Sequence, residues 1–209
     1  MSSINTTENS NTYKNPPKLE RPGAGLPWFE TLVAKYWFVF RLSKKMSWDE
    51  VDQWFVSEGE KILKLAHTLN AEQLQEKVLI PRITGIEDSS RFWSVAMTLE
   101  HLMIVGQGMF LIASTLSRGE KVNFEVDVAK VKPLEKISGA EACAIFEGFM
   151  KDMKAKLKTE IKDRDSTTSH KHPWFNQLTA RHWHWLMASH QQNHRRQIKL
   201  IIKGLPALH

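Results

Sequence analysis

Residues 179–203, TARHWHWLMASHQQNHRRQIKLIIK, are predicted to form one long helix, and this helix decides the fold. The residues of one face recur at three- and four-residue spacing, which is the period of an amphipathic α-helix. Its members are Trp183, Met187, His190, His194, Gln197 and Ile201. Thr179 is the candidate N-cap, and Gly204 with Pro206 predicts the end of the helix after about Lys203. Two histidines therefore lie where a helical bundle buries side chains.

Three further long helices are predicted upstream, each from its own boundary signals. The first begins at Ser47, where Glu50 completes a capping box, and runs to about Asn70. The second covers about Ser90–Ser117, and the third begins at Ser138 after a long connection. We expect an all-α four-helix bundle with antiparallel helices. The long connection indicates that some neighbouring helices need a crossover instead of a short hairpin.

The predicted buried faces differ in how polar they are. In the first helix Glu58 interrupts the apolar stripe, so its carboxylate is expected to point inward. In the second, His101 shares a stripe with Trp93, Met97, Ile104 and Leu111. The third has a wholly apolar face of Ala142, Phe146, Phe149, Met153 and Leu157. A histidine on each of two facing helices is the first sign of a site inside the bundle.

The chain is read as one domain with a tail. Residues 1–25 are rich in Asn, Thr, Ser, Pro and Gly and are expected to be a flexible tail, followed by a bundle domain over 26–209. Pro27 suits the first turn of an extra N-terminal helix, LPWFETLVAKYWFVFRL. This helix is strongly apolar, so it is expected to pack on the bundle or on a partner subunit, with membrane contact as the alternative.

Composition limits the class of protein. The 209 residues are 42% hydrophobic and contain one cysteine, Cys143, which excludes an internal disulfide and a CxxC metal site. The start of the chain lacks the pattern of a secretory signal, so a cytoplasmic location is expected. We expect no membrane span, because the apolar run around 36–40 is far shorter than about 20 residues. The net charge of +6 is spread along the chain and does not by itself indicate nucleic-acid binding.

The pair His190 and His194 has the i, i+4 spacing that lets two imidazoles share a metal ion. Nine histidines in 209 residues give roughly 0.4 such pairs by chance, so the spacing alone is weak. The predicted burial supports a metal site, because an imidazole without a partner is costly in a core. His101 on another helix adds a third ligand candidate. Three nitrogen ligands leave coordination positions open, which is typical of a reactive site and not of a purely structural one.

Two phrases carry a resemblance to a known family. RFWSVAMTLEHL at 91–102 and HPWFNQLTARHWHWLMASHQQNHRRQI at 172–198 resemble the two signatures of the DinB-like (DinB/YfiT) metalloprotein superfamily. The resemblance implies a four-helix bundle with His101, His190 and His194 as ligands of a divalent nickel, zinc or iron ion, and a homodimer as in many members. The N-terminal extension and its aromatic helix depart from the minimal family pattern.

The resemblance implies less about activity. Some relatives are transferases or isomerases that use low-molecular-weight thiols. We therefore expect a metal-dependent transferase or hydrolase, with thiol-dependent transfer included, acting on a small molecule with a metal-bound thiol or water as nucleophile. The alternative is a non-enzymatic metal-binding or stress-response module that dimerises through its helices. A basic helical nucleic-acid binder is a third hypothesis, and we expect no nucleic-acid partner.

Other residues near the predicted site have two readings each. Gln197 is interpreted either as a hydrogen-bond partner of a bound water or ligand, or as a structural amide. Glu58 is interpreted either as a residue that orients a histidine or acts as a base, or as a carboxylate on a surface turn. Arg195 and Arg196 are expected in solvent, or else at a substrate-binding mouth. Gly106 and Gly108 either leave room for a ligand or allow close helix packing. The remaining candidates are expected to be peripheral or weak: Glu100, Cys143, His67, His170, His172, His182 and His184.

Overall fold

The computed structural model describes residues 17–33 and 39–206. Its helices are α1 Trp28–Val33, α2 Val39–Leu42, α3 Trp48–Ala66, α4 Ala71–Gln75, α5 Val95–Ser117, α6 Gly139–Thr159 and α7 Ala180–Gly204. Two antiparallel strand pairs accompany them, β1 Val78–Leu79 with β2 Phe92–Trp93, and β3 Ser169–His172 with β4 Asn176–Thr179. The predicted tail falls mostly on residues 1–16, outside the described part. The predicted N-terminal helix corresponds to α1 and α2, and its residues 34–38 also lie outside.

The four long helices α3, α5, α6 and α7 form a four-helix bundle, as predicted. Packing contacts join α5 to α7, α7 to α3, α3 to α6 and α6 to α5, so α3 and α5 lie across a diagonal. The core between them is fully buried and includes Phe55, Ile62, Leu99, Phe146 and Trp183. The predicted apolar face of α6 is buried at all five positions. On α5, in contrast, Leu111 is about half exposed, so its assignment to the buried stripe is wrong.

Two pairs of neighbouring helices run parallel, so the expectation of a fully antiparallel bundle is wrong. The start of α3 meets the start of α7, where Asp52 and His184 lie 2.7 Å apart. The residues before α6 meet the start of α5, and Lys162, after α6, donates to Ser117 at the end of α5. Parallel neighbours need a connection that returns along the bundle. Residues 118–138 make this return, which is the crossover predicted from the long connection.

The helix starts follow from local capping. Ser47 and Glu50 form the predicted capping box of α3, and Ser138 forms another with Glu141 at α6. Helix α5 begins at Val95 after Ser94, which accepts a hydrogen bond from Met97, and so it starts later than predicted. The residues expected in its first turn, Phe92 and Trp93, instead pair with β1. This short strand places the Trp93 ring beside the centre of the bundle.

Helix α5 is the most apolar long element among the described residues. Its length and mean hydropathy of 1.5 match those of a helix that crosses a membrane, and 72% of its most apolar window is buried inside the bundle. A helix that is apolar all round and surrounded by other helices is the central core helix of a bundle.

Candidate metal centre

Three imidazoles meet inside the bundle, where α5 crosses α7. The Nε2 atom of His190 lies 3.2 Å from Nε2 of His101 and 3.0 Å from Nε2 of His194. His101 comes from the second turn of α5, and the other two lie one turn apart on α7. Ligands about 2.0–2.1 Å from a tetrahedral zinc ion are separated from each other by roughly 3.3 Å. The spacing of the three nitrogens therefore fits a shared metal ion.

Hydrogen bonds fix which nitrogens carry protons in two of these rings. Nδ1 of His101 donates to the carbonyl of Val131 at 2.7 Å, because a carbonyl only accepts. Nδ1 of His194 donates to Oε1 of Gln197 at 2.6 Å, and the amide nitrogen of Gln197 donates to the Ser90 carbonyl at 2.7 Å. Both Nε2 atoms consequently present lone pairs. A neutral His190 offers one N–H at most, so the three converging nitrogens lack protons to pair them.

Burial keeps all three rings neutral. Burial, together with the neighbouring His194, holds the pKa of His101 well below its ordinary value, against the opposing effect of its bond to Val131. The pKa of His190 is also well below normal, chiefly through burial and then through the other two imidazoles. Burial lowers the pKa of His194 to about 4, although the bond to Gln197 opposes the shift. Metal binding requires this neutral form of histidine.

An aromatic ring covers one side of the cluster. Trp93 stacks parallel to His194 with ring centroids 6.1 Å apart and meets His101 edge-on at 5.0 Å. The ammonium group of Lys132 lies 5.6 Å from the centroid of the same indole ring. Lys132 also bonds Glu87 at 2.5 Å and two serine hydroxyls, so its charge is compensated. The far side of the triad is left open to a cavity.

This first cavity has a volume of about 320 Å³ and is lined by all three histidines of the triad. Its walls come from α5, α7, the crossover 118–138 and the hairpin β3–β4, and are mostly apolar. They include Val105, Met109, Ile112, Val128, Val131 and Trp183. An apolar cleft with a few converging polar groups is the usual form of a small-molecule site. The cavity gives a ligand access to the open side of the triad.

A second cavity of about 470 Å³ shares His190, His172, Trp174 and Met109 with the first. Its outer wall is the N-terminal segment, which two buried carboxylates hold in place. Glu30 on α1 pairs with Arg82 at 2.6 Å and accepts from the backbone of Gly85. Glu87 accepts from the backbone of Gly25 at 2.9 Å. The N-terminal extension is thus part of the site's enclosure.

The structure separates Glu58 from the histidines. Its carboxylate is buried, as predicted, but it pairs with Arg195 on α7 and with Lys61 at 2.9 Å. Arg195 is correspondingly part-buried and not in solvent, whereas Arg196 is exposed at the rim of the second cavity. Gln197 contacts a histidine and a backbone carbonyl, so it orients the site as a structural amide. Glu100 accepts from the backbone of Glu135, away from the triad.

The other histidines serve the fold or the cavity walls. His184 is buried between Asp52 and a stacked Trp48, and His182 accepts from the backbone N–H of Thr179 at the start of α7. Neither reaches the triad, as expected. His67 is exposed at the end of α3. His172 was expected to be a weak candidate, but it is buried and lines both cavities.

The two glycines of α5 have different roles. A Cβ atom at Gly106 would lie 2.7 Å from Cζ of Phe149, so this glycine allows close packing of α5 against α6. At Gly108 a Cβ atom would meet nothing within 4 Å, and the residue borders the first cavity. Cys143 is buried and burial raises its pKa, as expected for a core thiol without chemistry.

Sequence reasoning missed the parts of the site that come from loops. Val131, Ser90 and Lys132 surround the triad, but the connections that contain them lack the periodicity that locates helices. The phrase HPWFN did stand out in the sequence, and it forms the turn of the β3–β4 hairpin. Only the folded chain shows that this turn closes over the cavity.

A known protein family matches most of this chain. A family model described as the DinB superfamily matches residues 55–198, which contain all three histidines. Among solved structures, the chain is similar to TT2238, a four-helix bundle protein, with 18% identity over 73% of this chain and 98% of that chain, and a TM-score of 0.46. It is also similar to the colibactin self-resistance protein ClbS, solved in complex with a double-stranded DNA, with 18% identity, 77% and 98% coverage, and a TM-score of 0.48. No curated protein matches the chain.

Proposed function

Because the chain belongs to the DinB superfamily and gathers three imidazoles in its bundle, we propose that His101, His190 and His194 bind one divalent metal ion. The observation that carries this proposal is the convergence of three imidazole Nε2 atoms within 4.8 Å of one another, of which those of His101 and His194 carry no proton. A cation at their centre satisfies every lone pair, whereas protons cannot. Imidazole suits nickel, zinc and iron alike, so availability decides among these metals.

We propose further that the protein is a metal-dependent transferase or hydrolase that uses this site. The transferase activity includes thiol-dependent transfer. A bound metal ion lowers the pKa of a thiol or water and supplies a nucleophile near neutral pH. Val131 and Gln197 hold the rings of His101 and His194 in one orientation. With three protein nitrogens as ligands, the remaining coordination positions of the metal ion face the first cavity. The mostly apolar walls strengthen electrostatic effects inside the cavity.

The test compares metal-loaded protein, metal-free protein and His194→Ala on one panel of reactions. Low-molecular-weight thiols are offered with electrophiles, and esters are offered alone. Turnover is expected from metal-loaded wild type and from the exposed-histidine control His67→Ala, and not from His194→Ala. Equal turnover with and without metal would remove the enzymatic proposal while leaving metal binding to be measured separately.

One surface favours a second candidate, a module that associates through its N-terminal helix. Trp28 is 79% exposed, and Phe29, Leu32 and Val33 on the same short helix are each about half exposed. Contiguous apolar side chains of this kind are typical of protein interfaces. This proposal predicts a homodimer that Trp28→Ser with Leu32→Ser converts to a monomer, while Leu111→Ser, another exposed apolar position, leaves the mass unchanged. A monomeric wild type would reject it.

A further inference from the structure

His172 is a fourth imidazole at the same cavity, and the metal proposal does not use it. It ends strand β3 and is 6% exposed, yet its ring lines both cavities together with His190. The ring stacks on Phe175 with centroids 4.5 Å apart, and Trp183 lies 5.1 Å away. These contacts hold the imidazole in one orientation at the junction of the two cavities.

A backbone hydrogen bond fixes the tautomer of His172. The N–H of Trp174 donates to Nδ1 of His172 at 3.1 Å, and an amide N–H cannot accept. Nδ1 therefore carries no proton, so the proton of the neutral ring is on Nε2. Within the described residues this Nε2–H makes no hydrogen bond to a protein atom, and Nε2 is not among the fully enclosed polar atoms without a partner, because the ring borders the cavity. The rest of the ring is enclosed, so this N–H is available to a ligand in the cavity that accepts a hydrogen bond.

The charges around the first cavity indicate what kind of ligand accepts. Among the charged side chains of its lining, Lys132 is committed to Glu87 and two serines, Lys130 pairs with Asp127, and Glu125 is exposed to solvent. The rest of the wall is mainly aliphatic and aromatic. Transfer of an ionised group into such surroundings is costly without a compensating charge. The cavity therefore suits a ligand that is mainly apolar and carries one oxygen atom that accepts a hydrogen bond.

We propose that the first cavity binds an uncharged carbonyl compound with an apolar substituent, and that Nε2–H of His172 donates to its oxygen. The apolar substituent lies among Val105, Met109 and Ile112, and the carbonyl lies between His172 and the triad. This inference rests on the proposed metal site. Neutral hydrogen-bond donors placed at such an oxygen also stabilise negative charge that develops on it during acyl transfer.

The test uses cobalt(II)-loaded protein and two uncharged probes, benzamide and acetamide, with binding followed by cobalt absorption. Wild type is expected to bind benzamide more tightly, because the phenyl group fills the cavity. His172→Asn retains an acceptor near Nδ1 but lacks a donor at the Nε2 position, so it is expected to weaken both probes about tenfold. His172→Gln places a donor there and is expected to stay within about threefold of wild type.

The cobalt affinity itself separates the two proposals. His172→Asn, His172→Gln and the control His170→Asn, which lies in the same strand but outside both cavities, are expected to bind cobalt like wild type. A wild type that binds no cobalt overturns the metal site and this inference with it. Cobalt-loaded protein that binds neither amide, or equal probe affinities in wild type and His172→Asn, overturns the inference alone. Equal weakening by Asn and Gln rejects the donor role of Nε2.

Discussion

Gln197 accepts a hydrogen bond from Nδ1 of His194 at 2.6 Å while its amide nitrogen donates to the carbonyl of Ser90 at 2.7 Å. One side chain thus ties a candidate metal ligand on α7 to the segment that precedes α5. Its orientation is determined, because only the amide nitrogen can donate to a carbonyl. The position of Nε2 in His194 therefore depends on a residue that touches no metal.

Removing this amide is expected to weaken metal binding without abolishing it. Partners that orient metal-bound histidines typically contribute 10–100-fold in affinity. Gln197→Ala is accordingly expected to lower zinc affinity by roughly that factor, measured by competition with a chelator. Gln192→Ala, on the same helix and half-buried, serves as the control. Unchanged affinity in Gln197→Ala would show that His194 is held by packing alone.

The Glu58 and Arg195 pair is expected to stabilise the bundle without affecting the metal. Burial alone would raise the pKa of Glu58, but hydrogen bonds from Arg195 and Lys61 outweigh it and hold the pKa below its ordinary value. Glu58→Gln leaves Arg195 without its charge partner. The loss is expected below the roughly 3–5 kcal/mol of a fully buried pair, because Lys61 and Arg195 reach solvent.

This stabilisation has a defined pH dependence. A carboxyl group with a lowered pKa in the folded state stabilises the fold above its unfolded pKa, and the effect is lost as the pH falls through the folded value. The stability difference between wild type and Glu58→Gln is thus expected to be full at pH 6 and to shrink below about pH 4. Urea denaturation at several pH values measures it. A difference that grows in acid would contradict the ion pair.

The two glycines of α5 provide a matched pair for the packing of the bundle. Gly106→Ala places a methyl group against the Phe149 ring and is expected to destabilise the fold by about 1–3 kcal/mol. Gly108→Ala meets open space within a helix and is expected to stabilise it by up to about 1 kcal/mol. Thermal denaturation compares the variants. Equal shifts in the same direction would show that close approach at Gly106 is not required.

Metal-free protein is expected to lose stability as the pH falls below about 6.5. The unfolded chain takes up protons on its histidines near that pH, while burial keeps the folded pKa of His194 at about 4 and those of His101 and His190 lowered as well. Each such imidazole costs up to roughly 1.4 kcal/mol per pH unit in this range. Zinc-loaded protein is expected to resist acid longer. A flat stability curve for metal-free protein between pH 7 and 5 would contradict the burial of these rings.

The sequence predicted the bundle well because helices follow local rules. The capping residues Ser47 and Ser138, the end of α7 near Lys203 and the inward position of His190 and His194 all follow from spacing along one helix. The meeting of His101 with that pair was inferred from its buried position and from the family resemblance. The distances between them depend on how α5 and α7 cross, which no local pattern contains.

What the sequence missed depends on contacts between distant segments. Trp93 has the spacing of a helical residue, but pairing of β2 with β1 takes it out of the helix. Glu58 interrupts its stripe as a site residue would, yet its partner is Arg195, on the helix that also carries the histidines. The crossover brings Val131 to His101 across 30 positions in the chain. Such contacts are set by topology, so residue spacing cannot show them.

Elemental analysis tests most directly whether His101, His190 and His194 hold one divalent metal ion. Wild type, His190→Ala and His67→Ala are purified without an affinity metal or chelator, and metal per chain is measured. About one equivalent of nickel, zinc or iron is expected in wild type and in His67→Ala, and close to none in His190→Ala with helical content retained. Equal metal content in wild type and His190→Ala would contradict the account, as would a wild type that stays empty after incubation with each metal.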